Sequence, residues 1–143
     1  MKVSDAMTKD VQIAGPNQTI REAAQAMLEV DVGVLPVGEN DRLVGMITDR
    51  DIAVRGIAKG KGPDASVRDV MSSEVKYCFD DQDVEEVTQN MGDVQLRRLP
   101  VVNRDKRLVG ILSLSDVAKT GRHDTDEALG DIARPGGQHS QKT

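Results

Sequence analysis

The first half of the 143-residue chain recurs in its second half, and this internal repeat constrains the fold more than any other feature. At an offset of 64 residues, Leu35–Val37 recurs as Leu99–Val101. One inserted residue in a polar turn changes the offset to 65, and Leu43–Gly45 then recurs as Leu108–Gly110. The repeat therefore predicts two similar units joined by the stretch AKGKGPDA.

These matches predict where the units begin and end. We expect a first domain over residues 2–60, a linker over 61–65, a second domain over 66–120, and a short helix with a flexible tail over 121–143. A unit of about 55 residues has a marginal core when it stands alone. The two units are therefore expected to pack sheet to sheet, with pseudo-two-fold symmetry.

Each unit is predicted to fold as strand, helix, strand, strand, helix, which is an α/β (α+β) arrangement. In the first unit Val11–Ala14 is a short extended run, and Thr19 with Glu22 has the spacing of a helix capping box. The hairpin strands are Val34–Val37 and Leu43–Ile47. The residues expected on the apolar face of the first helix are Ile20, Ala23, Ala24, Met27 and Leu28.

The composition requires an aliphatic core and excludes several classes of partner. The chain has one Phe, one Tyr and no Trp, so it lacks the aromatic platforms on which single-stranded nucleic acid stacks. Its net charge of −5 removes the general basic field that attracts nucleic acid or anionic lipid. We therefore expect neither a nucleic acid polymer nor a membrane as partner.

The inventory of chemically reactive side chains is small. Cys78 is the sole cysteine, so no intrachain disulfide forms, and we expect a small buried hydrophobe there. Only His123 and His139 are available as imidazole ligands, and no metal site is expected. No apolar run reaches the roughly 20 residues of a membrane span, which predicts a cytoplasmic protein. Without a nucleophile and base pair or a phosphate loop, the chain is predicted not to be an enzyme.

The residues that carry chemistry lie in two equivalent segments, GMITDRD at Gly45–Asp51 and GILSLSD at Gly110–Asp116. Each is a strand leading into a helix, with a hydroxyl at the junction and a carboxylate three residues later. A hydroxyl at a helix N-terminus can hold a phosphate oxygen, and a carboxylate can accept from the two hydroxyls of a ribose. Thr-x-x-Asp is also an ordinary helix cap, although its duplication favours a binding role.

The repeated hydrophobic-Pro-Val strand, polar turn, Leu-Val-Gly and closing segment resemble the cystathionine beta-synthase (CBS) domain. The resemblance covers about residues 2–120, as a tandem CBS pair or Bateman module. TDRDIAVRGIAKG and LGDIARPGGQHSQ are similar to small stand-alone bacterial proteins of this class. The resemblance implies clefts that bind an adenosine-containing ligand such as AMP, ADP, ATP, NAD or S-adenosylmethionine.

By resemblance, Asp51 and Asp116 would hold the ribose hydroxyls, and Thr48 and Ser113 would approach the ribose or phosphate. Arg50 and Arg55 in the first unit could serve a phosphate, although long arginines at such positions are more often solvated. Arg97 and Arg98 give the second unit cations beside its cleft, but Asp80, Asp81 and Asp83 near the same end would oppose a phosphate unless they face solvent. The residues that would line the adenine slots are Ile13, Ala14, Val34, Leu35 and Pro36 in the first unit and Tyr77, Cys78, Arg98, Leu99 and Pro100 in the second.

Two functions follow from this reading. The first is a regulatory module that binds an adenosyl ligand and signals to an unidentified protein. The second is a structural or interaction module in which the motif serves only as a helix cap and the protein acts through its dimer surfaces. Homodimerisation through the helix faces Ile20–Leu28 and Val84–Met91 is expected in both cases.

Overall fold

A computed structural model of the protein describes residues 1–94 and 98–113. The chain divides into two compact units. One consists of Gln12–Val75, and the other consists of Met1–Val11 together with the described residues from Lys76 onward. The units therefore differ from the sequence repeats, because the first eleven residues belong with the second repeat.

Helices and strands alternate in each unit, which confirms the predicted mixed class. The α-helices are α1 (Val3–Ala6), α2 (Ile20–Val30), α3 (Val67–Val70) and α4 (Val84–Val94), with a π-helix at Asp51–Gly56 and a 3₁₀ turn at Ile57–Lys59. The strands are β1 (Val34–Glu39), β2 (Arg42–Thr48), β3 (Cys78–Phe79), β4 (Arg98–Val102) and β5 (Leu108–Ser113). None of the described helices is long and apolar enough to cross a membrane.

Strands β1 and β2 form the predicted antiparallel hairpin, with Val34 opposite Thr48. Asn40 and Asp41 turn the chain with φ values of 54° and 65°, the left-handed pair that a two-residue hairpin loop needs. The strand predicted at Val11–Ala14 is reduced to one parallel bridge between Ala14 and Val37. Gly15 and Pro16 follow immediately, and proline has no amide hydrogen to continue the pairing.

The second unit contains a three-stranded sheet in the order β3-β4-β5. Strand β3 lies parallel to β4, with Cys78 opposite Val101, and β4 and β5 are antiparallel. Here the predicted first strand does form, although it is only two residues long.

Each repeat's leading segment pairs with a strand of the other repeat. Thr8 exchanges two backbone hydrogen bonds with Ile111, at 2.9 and 3.0 Å. Ser72 does the same with Met46, both at 2.9 Å. Helices α1 and α3, which the sequence patterns did not predict, belong to these segments. The segment before one repeat thus completes the other repeat's unit.

The capping box predicted for α2 is present. Thr19 Oγ1 accepts from the Glu22 amide at 3.1 Å, and Glu22 Oε1 accepts from the Thr19 amide at 3.0 Å. The predicted apolar face is narrower than expected, because Ala24 is exposed and Leu28 is 81% exposed. A stripe at three- and four-residue spacing from Ile20 through Ala23 to Met27 already fills the width available against the core.

The described residues form two aliphatic cores, one in each unit. Their aliphatic character follows from the composition, but the sequence predicts a single core shared by the pair. Repeat-equivalent positions occupy them, so that Leu35 in one core corresponds to Leu99 in the other. The first core contains Ala14, Ile20, Ala23, Met27, Leu35, Val37, Ile47, Val67 and Val70. The second contains Val3, Cys78, Val84, Val87, Leu99, Val101 and Leu112.

Candidate ligand site

Thr48 and Asp51 bind one another at the end of β2. The Thr48 amide donates to Oδ2 of Asp51 at 2.9 Å, and the Asp51 amide donates to Oγ1 of Thr48 at 3.0 Å. These are the two bonds of a capping box, so the motif does cap the helix that follows. They use Asp51 Oδ2 and leave Oδ1 for another partner.

The second oxygen of Asp51 lies against an arginine on the π-helix. Arg55 Nε is 3.8 Å from Asp51 Oδ1, and Arg55 Nη1 donates to the Met71 carbonyl at 3.3 Å. The Asp51 side chain is 17% exposed, so it is accessible from solvent on one side only. π-Helices are rare and occur frequently at functional sites. Sequence reasoning considered Arg55 as a phosphate ligand or a solvated side chain and missed its bridge to Met71.

Asp49 places a second carboxylate close to this site. Its amide donates to the Gly33 carbonyl at 2.9 Å, and its Oδ1 accepts from the Arg50 amide at 2.8 Å. A Cβ added to Gly33 would lie 2.9 Å from Asp49 Oδ2, so a side chain at position 33 would require this carboxylate to move. Leu114 occupies the equivalent position in the second repeat, an asymmetry readable from the sequence but missed.

The hairpin register brings part of the predicted adenine slot beside Asp51. Val34 is half-buried and opposite Thr48, while Pro36 is buried one pleat further along β1. Leu35 points into the core, so its side chain is not free to line a slot.

Ile13 and Ala14 differ in their surroundings. Ala14 is buried in the core, and its amide and carbonyl are bonded to the Pro36 carbonyl and the Gly38 amide, both at 2.9 Å. Ile13 is exposed at the edge of the hairpin. Of these two predicted slot residues, therefore, only Ile13 presents a side chain to solvent.

In the second repeat the structure describes part of the predicted site. Arg98 is exposed and lies opposite Ser113, in the register that Val34 and Thr48 have in the first repeat. Leu99 is buried in the core, as Leu35 is, and Pro100 is buried beside it. Asp116 and Arg97 lie outside the described residues.

Tyr77 and Cys78 occupy contrasting environments on and beside β3. Cys78 is 2% exposed, as the sequence predicts, and burial raises the pKa of its thiol to about 12, with a smaller contribution from Asp80. Such a thiol remains protonated at neutral pH and is a poor nucleophile. Tyr77 is exposed, and its hydroxyl accepts from Lys106 Nζ at 2.8 Å.

The two aromatic rings of the chain lie together between two cations, an arrangement that sequence reasoning missed. The Tyr77 and Phe79 rings meet edge to face at 5.7 Å. Arg104 lies 4.1 Å above the Phe79 ring, and Lys106 lies 5.2 Å from the Tyr77 ring. These contacts join the residues of β3 to the turn between β4 and β5. Tyr77 therefore has ring and hydroxyl partners without any purine.

Two of the acidic residues near the second repeat lie close to a cation. Asp81 forms a two-pronged ion pair with Arg104, whose hydrogen bonds lower the pKa of the Asp81 carboxyl. Asp83 is mostly exposed and lies 3.9 Å from the N-terminal amine. Asp81 and Asp83 are thus exposed, as a nearby phosphate would require, whereas Asp80 is half-buried and does not meet that condition.

Comparison with known proteins identifies the family. The CBS domain description matches residues 3–55 and residues 67–122, which are the two repeats. This chain is a tandem CBS domain protein. The CBS domain-containing protein YhcV of Bacillus subtilis is 45% identical over 116 residues, covering 81% of this chain and 82% of that protein. Hypoxic response protein 1 of Mycobacterium tuberculosis is 38% identical over 117 residues, covering 80% and 81%.

Solved CBS structures are similar to this chain over most of its length. The crystal structure of Hypoxic Response Protein I, which carries two coordinated zinc ions, has a TM-score of 0.75 at 37% identity and covers 83% of this chain and 98% of that one. CBSX2 in complex with AMP gives 0.74 at 28% identity, with 84% and 95% coverage. The CBS pair of MJ0100, in complex with 5′-methylthioadenosine and S-adenosylmethionine, gives 0.72 at 29% identity, with 85% and 95% coverage.

The described part of this CBS pair contains no group of three His, Cys, Asp or Glu side chains that could hold a metal ion. His123 and His139 lie outside the described residues.

Proposed function

We propose that this CBS pair is a non-catalytic regulatory sensor that binds an adenosine-containing ligand. The observation that carries the proposal is the position of Asp51, whose Oδ2 is held by the Thr48 amide while Oδ1 lies at the partly exposed end of the hairpin. A carboxylate held in place in this way can accept from ribose hydroxyls. The AMP complex of CBSX2 and the adenosyl complexes of the MJ0100 pair support this ligand class.

In the proposed arrangement Asp51 and Asp116 each accept from a ribose, and Thr48 and Ser113 lie beside the sugar or its 5′ substituent. Val34 and Pro36 contribute apolar surface to the first adenine slot, with Arg98 and Pro100 at the equivalent positions of the second. Ile13 and Tyr77, the exposed neighbours of the strand-paired Ala14 and Cys78, complete the slots. Arg50, which is exposed beside Asp51, is the cation for a 5′ phosphate.

The ligand would act by shifting the population of conformations that an unidentified partner protein recognises. We place the protein in the cytoplasm, as a homodimer. A monomer mass of 15.5 kDa measured by light scattering during size-exclusion chromatography would contradict the dimer.

A second candidate function is a ligand-free interaction module. The exposed apolar residues Leu28, Val54 and Ile57 favour it, because each gains by burial against another protein surface. In this alternative the Thr48 and Asp51 bonds serve only as a helix cap.

Thermal melting with AMP, ADP, ATP, NAD and S-adenosylmethionine separates the two candidates. The sensor function predicts a higher melting temperature with at least one compound, reduced in both Asp51→Asn and Asp116→Asn. No shift with any compound, together with recovery of a stoichiometric protein partner, would instead establish the interaction module.

A further inference from the structure

Arg55 connects the proposed ribose site to the segment between the repeats. Its Nε lies 3.8 Å from Asp51 Oδ1, while its Nη1 donates to the Met71 carbonyl at 3.3 Å. Asp51 and Arg55 are four residues apart along the π-helix, whereas Met71 ends α3. One guanidinium therefore contacts both the ligand-binding carboxylate and the chain that leads into the second repeat.

The segment that Arg55 contacts is held closely against the first repeat. Ser72 exchanges two backbone hydrogen bonds of 2.9 Å with Met46 on β2. A Cβ on Gly45 would lie 2.7 Å from the Ser72 carbonyl and 2.8 Å from the Met71 sulfur. A small change at Met71 is therefore transmitted to backbone bonds within the same β2 strand that ends at Thr48.

We propose that Arg55 is a positioning residue that couples ligand binding at Asp51 to the segment Met71–Ser72. The inference rests on the proposed adenosyl site. Asp51 Oδ2 already accepts from the Thr48 amide, so Oδ1 has the greater remaining capacity for a ribose hydroxyl, and Oδ1 is the oxygen that faces Arg55. The hydroxyl competes with Arg55, and the freed side chain holds the Met71 carbonyl less firmly.

The sequence of the second repeat has no arginine at the equivalent position, where Thr120 stands. A threonine has no guanidinium with which to pair with a carboxylate and a carbonyl at once. The proposed coupling therefore depends on a residue that has no counterpart in the sequence of the second repeat.

Competition of this kind gives Arg55 an effect opposite to that of an ordinary binding residue. If the ligand must displace Arg55 from Asp51, removing Arg55 removes that cost, and affinity rises. The contact of Arg55 with Met71 and Asp51 lowers the affinity for the ligand by some factor. By thermodynamic linkage, the bound ligand weakens that contact, and so loosens the Met71–Ser72 segment, by the same factor. Because an exposed ion pair contributes little free energy, we expect the change in ligand affinity to be a factor of about 2 to 5.

The experiment uses the full chain and two probes, uncharged 5′-methylthioadenosine and phosphate-bearing AMP. Calorimetry measures affinity, and amide hydrogen exchange followed by NMR measures the opening of the Met46 and Ser72 amides. In the wild-type protein, saturating 5′-methylthioadenosine should accelerate exchange at these two amides by about 2- to 5-fold.

Arg55→Met should bind 5′-methylthioadenosine about 2- to 5-fold more tightly, and its Met46 and Ser72 amides should no longer respond to the ligand. Arg55→Lys should restore wild-type affinity without the exchange response, because an ammonium can pair with Asp51 but does not bridge to Met71 as the guanidinium does. Arg21→Met is the matched control, since Arg21 is also about half exposed and pairs with Asp64 away from the site. It should behave as the wild type.

Three outcomes overturn the inference. If Arg55→Met weakens AMP but not 5′-methylthioadenosine, Arg55 is a phosphate ligand. If ligand accelerates exchange at the Met46 and Ser72 amides of Arg55→Met as much as in the wild type, at equal saturation, Arg55 does not couple Asp51 to the Met71–Ser72 segment. If neither probe binds the wild-type protein, the adenosyl site fails for these ligands, and the inference fails with it. The first two outcomes leave the proposed function standing.

Discussion

Asp51 and Thr48 form a reciprocal pair, in which each backbone amide donates to the other residue's side-chain oxygen at 2.9 or 3.0 Å. The same carboxylate thereby caps a helix and, in the proposed function, receives a ribose. These roles require different properties of residue 51. The cap needs an oxygen acceptor, whereas strong binding of two hydroxyls also needs the negative charge.

Asp51→Asn and Asp51→Ala separate the two roles. Asparagine keeps an acceptor for the Thr48 amide, so stability in urea should change by less than about 0.5 kcal/mol, while alanine should cost about 1 kcal/mol. Both variants should weaken AMP binding at least about tenfold, because each removes the charged acceptor. Wild-type AMP affinity in Asp51→Asn would show that the carboxylate is a cap alone.

Gly45 and Gly110 are predicted to be intolerant of any side chain. A Cβ at Gly110 would lie 2.7 Å from the Thr8 carbonyl, and one at Gly45 would lie equally close to that of Ser72. Both obstacles are backbone atoms, so Gly45→Ala and Gly110→Ala should each lower the unfolding free energy by about 2 kcal/mol. Gly62→Ala is the control, since nothing lies within 4 Å of its Cβ, and it should change stability by less than about 0.5 kcal/mol. Equal effects for all three variants would refute the close packing.

The exchange of leading segments shows what sequence reasoning could not supply. The sequence correctly predicted the hairpins, the cap at Thr19 and the aliphatic character of the core, but it predicted one core shared by both units, whereas each unit has its own. It could not determine which core receives α1, because Val3 and Val67 are equivalent apolar residues and either core could accommodate either one. Contacts between distant segments leave no local periodicity, so the pairing of Thr8 with Ile111 required the structure.

The candidate site was predictable where it depends on short-range motifs. The Thr48 and Asp51 spacing indicated both a cap and a ligand site, and the cap is present. The bridge from Arg55 to Met71 spans 16 positions, so no motif encodes it. The inward direction of Leu35 follows from alternation along β1, which the sequence pattern left ambiguous because its neighbours are apolar too.

Thr88 offers a stabilising substitution. Its Oγ1 is buried and has no hydrogen-bond partner among the described residues, which leaves a desolvated hydroxyl. Thr88→Val keeps the shape of the side chain and removes that hydroxyl. The melting temperature should therefore rise, by the amount that corresponds to a gain of about 1 kcal/mol in the free energy of unfolding. The same replacement at Thr19 should cost about 1 kcal/mol, because Thr19 Oγ1 accepts from the Glu22 amide. A loss of stability in Thr88→Val would contradict the assignment.

Because the Cys78 thiol is buried, we expect the free energy of unfolding to fall in alkali. The thiol of the unfolded chain ionises near its ordinary pKa of 9.0, whereas burial holds the folded thiol protonated up to about 12. Unfolding therefore releases a proton in this window, and the folded state loses stability as pH rises above about 9. Compared with Cys78→Ala, the wild-type protein should lose about 1.4 kcal/mol between pH 8 and pH 10 in urea unfolding. An unchanged difference between the two proteins would show that the thiol is accessible to water.

The central claim is that the chain binds an adenosine-containing ligand at Asp51 and Asp116. Mass spectrometry of small molecules released by denaturing the purified protein tests it most directly, with the Asp51→Asn, Asp116→Asn double variant prepared in parallel. We expect the wild-type protein to release an adenine nucleoside or nucleotide, and the double variant to release at least about tenfold less of that compound. Equal amounts of the adenine compound from both proteins would contradict this claim. It would also be contradicted if the wild-type protein released no adenine compound and bound none when adenine nucleotides were added to it.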